Sequence, residues 1–86
     1  MKKADKIDAL KKLKAFVKSE EFGLITDGLC IANGELYADD LITEDQYFFI
    51  KKTIPKHTPY SYVWKVGSKA PRIKWINEQI KKLEKK

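Results

Sequence analysis

Thr43-Glu-Asp-Gln-Tyr-Phe-Phe-Ile-Lys-Lys-Thr-Ile-Pro55 is the stretch that decides the fold class. A threonine followed three positions later by a glutamine is the pair that satisfies the free N–H groups at a helix start. Glu44 and Asp45 then favour the positive end of the helix dipole. Pro55 disfavours helical geometry at the residue before it, so the spacing predicts a helix from about Glu44 to Ile54. Tyr47, Ile50 and Ile54 share one face, while Phe48 and Phe49 point about 100° and 200° away from Tyr47. Either one of those two rings meets a partner or the C-terminal segment, or both are covered by the loop from Pro55 to Lys69.

Upstream, Ile7, Leu10, Leu13 and Val17 recur at helical spacing among lysines, predicting an amphipathic helix from about Ala4 to Glu20 that Phe22-Gly23 breaks. A second helix follows from Leu24 or Thr26 to Ala38. Ile25, Leu29, Ala32 and Leu36 form one stripe on it, and Leu24 and Ile31 lie on another, so it is expected to be central and buried. Gly28 and Gly34 each cost about 1 kcal/mol against alanine inside a helix and are expected to mark close approach of another helix or of a ligand. Asp39-Asp40-Leu-Ile-Thr43 reads as a connection. Downstream, Pro55-Lys-His57-Thr-Pro59 is a loop with a surface histidine, and Tyr60-Ser-Tyr62-Val-Trp64-Lys-Val66 alternates with the period of an extended segment. Gly67-Ser68 turns the chain into a last helix with Pro71 near its first turn and Ile73, Ile76, Ile80 and Leu83 as its buried stripe. The expectation is an all-α domain over residues 1–86, a small bundle of about four helices with an extended aromatic segment before the last. A chain of 86 residues buries a modest core, so a homo-oligomer is expected.

The net charge of +6 is strongly segregated. Residues 1–18 hold seven Lys and two Asp, residues 19–50 hold eight acids and no Lys or Arg, and residues 51–86 hold ten Lys, one Arg and two Glu. Such a pattern can satisfy itself within the fold, pair head to tail between subunits, or present a basic face to phosphates. There is no apolar run of about 18 residues and no secretory signal pattern, so the expectation is a reducing cytoplasm and no membrane partner. Cys30 lies in Leu29-Cys30-Ile31 and reads as a buried small hydrophobe. No Gly-rich phosphate loop, no nucleophile with a His and an acid, and no cluster at metal-ligand spacing is present. A non-enzyme without cofactor or metal is expected.

Arg72 is the one arginine beside seventeen lysines. A guanidinium forks onto carboxylate or phosphate and stacks on rings, so its position is one where geometry matters. On the last helix Arg72, Trp75 and Gln79 fall on one flank near the N-terminal end, where free N–H groups favour an anion. With Tyr62 and Trp64 for stacking and Lys65 and Lys69 for charge, they form a candidate nucleotide pocket; a purely structural Trp-Arg-Trp stack is the alternative. Phe48, Phe49, Asp39 and Asp40 form a candidate partner interface.

Leu41-Ile-Thr-Glu-Asp-Gln-Tyr47, Tyr62-Val-Trp64, Gly67 and Pro71-Arg-Ile-Lys-Trp-Ile76 together resemble small accessory proteins of tailed bacteriophages, over about residues 22–80. Ile76 stands where leucine is common in that pattern, and the N-terminal helix is unusually lysine-rich. The resemblance implies an anti-defence protein of the host cytoplasm. In one mechanism an oligomer sequesters a cyclic oligonucleotide-like immune signal in the Arg72 pocket. In another the chain binds a host defence effector such as a CRISPR nuclease, as an anti-CRISPR. Direct binding of nucleic acid by the basic ends is a third expectation.

Overall fold

The computed structural model describes residues 1–19, 28–54 and 69–85. Among these the chain is an all-α bundle of four helices: α1 (Lys3–Ser19), α2 (Gly28–Ala38), α3 (Glu44–Thr53) and α4 (Lys69–Glu84). The expected helix break at Phe22-Gly23, the apolar positions Leu24 and Ile25, the His57 loop, the extended segment from Tyr60 to Val66 and the Gly67 turn lie outside the described residues. So do the surroundings of Gly28 and the side chains of Ile31, Lys69 and Pro71.

α1 starts where the Lys2 carbonyl accepts the N–H of Lys6 at 3.1 Å, and Asp5 supplies an acid to its first turn. It packs against each of the other three helices, most extensively against α4. Ala9, Leu10, Leu13 and Val17 are its buried residues, and Ile7 packs half-buried beside them. The core is completed by Leu29, Ala32 and Leu36 of α2, Ile42, Ile50 and Ile54 around α3, and Trp75, Ile76 and Ile80 of α4. Burying a large apolar side chain contributes roughly 1.5–3 kcal/mol, which makes this cluster the main source of stability.

The end of α2 is a six-residue hydrogen-bonded closure. Asp40 adopts φ 58, the left-handed region, so that Asp40 N–H donates to the Tyr37 carbonyl at 3.1 Å and Leu41 N–H to the Leu36 carbonyl at 2.9 Å. That is the pairing of a Schellman ending, with aspartate where glycine is commonest. Two residues on, Thr43 caps α3. Its Oγ1 accepts from Gln46 N at 3.1 Å, and Gln46 Oε1 accepts from Thr43 N at 2.9 Å. The expected capping box is present, and Ile54 closes the helix in extended geometry before Pro55.

Side chains fix how this turn sits on α1. Buried Gln46 donates through Nε2 to the Asp5 carbonyl at 2.9 Å and to Asp8 Oδ2 at 3.1 Å. Lys12 pairs with the same Asp8 oxygen at 3.2 Å and donates to the Leu41 carbonyl at 2.9 Å. The Gln46 hydrogen bond holds the Asp8 carboxyl below its ordinary value, burial opposing it and Lys12 adding to it. Asn33 of α2 donates to the Tyr47 carbonyl of α3 at 3.0 Å, so polar side chains tie α2 to α3 and α3 to α1.

Three expectations are corrected. Gly34 marks no close approach, because a Cβ built there meets nothing within 4 Å; it lies off the stripe of Leu29, Ala32 and Leu36. Cys30 is exposed, since one residue past Leu29 the helix has turned about 100° from the core. On α4 the buried set is Arg72, Trp75, Ile76 and Ile80, with Ile73 and Leu83 half-buried. The stripe is rotated toward Arg72, which a hydropathy pattern scores as a surface residue.

Candidate interaction face

The predicted site residues fall into two groups with different surroundings. Arg72 is 0% exposed and Trp75 is buried in the core, while half-buried Gln79 of α4 lines a cleft of 180 Å³ with Phe49, Thr53, Lys82 and Leu83. Burial lowers the Arg72 guanidinium below its ordinary value. Tyr62, Trp64 and Lys65, and the side chain of Lys69, lie outside the described residues. The other group is at the surface. Asp39 and Asp40 are exposed in the turn that ends α2, Phe48 is 46% exposed, and Phe49 is half-buried against the core with Lys6 Nζ 5.5 Å from its ring centroid.

Around Phe48 the structure assembles more than the sequence indicated. Glu44, Tyr47, Phe48 and Lys51 recur at i, i+3, i+4 and i+7, which makes them neighbours on one side of α3. Across the Asp40 turn, Tyr37 of α2 stacks on Tyr47, with centroids 4.8 Å apart and planes inclined by 20°. Tyr47 in turn meets Phe48 edge-on at 5.2 Å. The Tyr37 hydroxyl donates to Glu44 Oε2 at 3.2 Å. The negative charge of Glu44, and then this hydrogen bond, raise the phenol above its ordinary value and keep it a donor. Lys51 Nζ lies 5.8 Å from the Tyr47 centroid and 5.9 Å from that of Phe48, so these rings already accept an ammonium.

The face is thus a row of three rings in which Tyr37 and Phe48 reach solvent, flanked by carboxylates of Asp40, Glu44 and Asp45. Among the described residues, no lysine forms an ion pair with Glu35, Asp39, Asp40, Glu44 or Asp45; the Lys12–Asp8 pair is internal to α1. Large rings offer contact area at small entropic cost, and carboxylates beside them select a cationic surface. Sequence reasoning found Phe48, Asp39, Asp40 and the acids Glu44 and Asp45 but missed Tyr37, Tyr47 and Lys51. The helical spacing on α3 was available; the Tyr37 stack depends on the left-handed turn at Asp40, which no local pattern announces.

Among the described residues no group of His, Cys, Asp and Glu could hold a metal ion, and no helix is long and apolar enough to cross a membrane. No protein-family model, curated protein or solved structure matches the chain.

Proposed function

We propose that the chain is a non-enzymatic protein-binding module that lays its Tyr37–Phe48 face on a cationic surface of another protein. Of the host-directed mechanisms implied by the C-terminal motif, inhibition of a defence effector is the one this face favours. A single observation carries the reading: solvent-reaching rings stand among carboxylates that no lysine of the described fold neutralises. A carboxylate-rich surface of this kind suits an effector groove built to hold phosphates, with the rings as anchors.

Capture of a nucleotide signal at Arg72 has less support. A guanidinium that is 0% exposed favours a structural role within the helix packing over an anion site open to solvent. Direct nucleic-acid binding by the lysine-rich ends is a weaker proposal still, since Asp5, Asp8 and Glu78 are exposed among those lysines.

The test is a photo-crosslinkable amino acid in place of Phe48, irradiated in bacterial lysate. A discrete protein adduct that disappears with Glu44→Lys supports the reading. A ladder of adducts insensitive to Glu44→Lys, or none, sinks it.

A further inference from the structure

We infer that Asn33 and Gly34 form a self-modification site: when α2 opens, the backbone nitrogen of Gly34 attacks the Asn33 side-chain amide, and the aspartate or isoaspartate left behind cannot restore the link from α2 to α3. The chemistry is independent of the protein-binding reading above.

The reaction needs an asparagine followed by a residue with no Cβ to crowd the attacking nitrogen, and residue 34 is glycine. The Gly34 nitrogen gives its proton to water, bonds to Cγ of Asn33 and expels the side-chain nitrogen as ammonia, which leaves a cyclic succinimide. Water then opens the ring. Cleavage at Cγ gives aspartate, and cleavage at the Asn33 main-chain carbonyl gives isoaspartate, whose backbone is lengthened by a carbon. The net change is an amide plus water to a carboxylic acid plus ammonia, so neither an oxidant nor an enzyme is required.

Packing does not account for the glycine, since a Cβ built at Gly34 meets nothing within 4 Å. Asn33 is 2% exposed, and while its Nδ2 donates to the Tyr47 carbonyl at 3.0 Å, its Oδ1 is buried with no hydrogen-bond partner among the described residues. An unmet acceptor in the interior penalises the closed state relative to the open one. α2 is also weakly supported by its own sequence. Its eleven residues include Gly28, Asn33 and Gly34, all poor helix formers. Among the described helices it alone carries neither an acid in its first turn nor a base in its last, and Glu35 stands at its negative end instead. Local opening is drawn from such elements. While α2 is closed, the helical hydrogen bond of the Gly34 N–H and the bond from Nδ2 to Tyr47 keep the reacting groups committed, so opening sets the rate.

The product cannot close again in the same way. A carboxylate has no donor for the Tyr47 carbonyl, so two acceptors would face each other in a buried space and a charge would replace a neutral amide. α2 is loosened from α3, and with it the stack of Tyr37 on Tyr47.

The test is peptide mapping by mass of the purified chain, held at mildly alkaline pH in urea below its unfolding midpoint, with a fully unfolded sample as the reference. The mass gain of exchanging NH2 for OH should appear at Asn33 more slowly than in the unfolded reference, faster with each step of urea, and well ahead of Asn77, which Glu78 follows. Gly34→Ala should slow the gain by more than an order of magnitude in the unfolded reference as well as in the folded chain, which separates the chemistry from any effect on helix stability. Asn33→Asp, which builds one product directly, should melt below the wild type and lose hydrogen-exchange protection along α2. No gain at Asn33 in the folded chain by the time Asn77 is modified overturns the site, and so does a rate indifferent to urea or a Gly34→Ala rate equal to that of the wild type. An Asn33→Asp chain that melts with the wild type overturns the loss of the link.

Discussion

Gln46 reaches from the first turn of α3 to the carbonyl of Asp5 in the first turn of α1, at 2.9 Å across 41 positions of sequence. The same side chain closes the capping box with Thr43, so one amide both starts a helix and docks it. Gln46→Ala should lower stability by about 2–3 kcal/mol, more than a lost cap alone, since Asp8 and the Thr43 N–H also lose a partner. Gln46→Glu removes the two donated bonds and faces Asp8 with a second carboxylate. Its urea midpoint should fall below that of Gln46→Ala at neutral pH and recover on acidification.

Asp8 gives the wild type an acid limb of its own. Its folded value lies below the ordinary 3.8, so the contribution is present above that value and is lost as pH falls through the lowered one. The carboxylate is half exposed, which limits the effect to less than about 1 kcal/mol. Asp8→Asn should flatten the stability curve in that window, as measured by urea midpoints between neutral pH and strong acid. An unchanged acid limb would assign it to other carboxylates.

Gly34 is a site for gain. With nothing within 4 Å of a built Cβ, Gly34→Ala should stabilise by about 1 kcal/mol and raise the melting temperature by several degrees. A loss would mean that a neighbour approaches more closely than the described residues do.

Asp40 sits at φ 58, where glycine is free of the Cβ clash. Asp40→Gly should add roughly 0.5–1 kcal/mol while slowing association with a cationic partner, because it also deletes a flanking carboxylate. Opposite signs for melting and association rate would separate the turn's two roles.

Arg72→Lys tests the buried guanidinium. An ammonium is more strongly hydrated and lacks the planar fork, so the substitution should cost about 2–3 kcal/mol in thermal or urea unfolding. Melting left nearly unchanged, together with loss of a nucleotide-induced shift, would instead favour the pocket reading.

What the sequence disclosed follows from the range over which each signal acts. Thr43, Gln46 and Pro55 state the limits of α3 within a dozen residues, and the spacing of Leu10, Leu13 and Val17 states which side of α1 is buried. Gln46 to Asp5 and Lys12 to Leu41 join residues 41 and 29 positions apart, beyond any local window, and Tyr37 to Tyr47, though ten apart, depends on the Asp40 turn that sets α2 against α3. Gly34 was misread because cost alone was taken to imply contact. Arg72 was assigned to a flank because the buried stripe was drawn through Ile73, Ile76, Ile80 and Leu83, although a single cation can be drawn into a core that its long stem helps to fill.

The dominant pairing of α1 with α4 couples segments more than fifty positions apart, which sets the order in which this protein can be made. During synthesis Leu10, Leu13 and Val17 leave the ribosome long before Trp75, Ile76 and Ile80 exist to cover them. Until α4 is made, the apolar side of α1 lacks its most extensive covering surface, so pairing of these two helices is a long-range contact of the kind that slows folding. A stop codon ahead of α4 would thus leave Leu10, Leu13 and Val17 without Trp75, Ile76 and Ile80 to cover them, exposing an apolar stripe that favours aggregation.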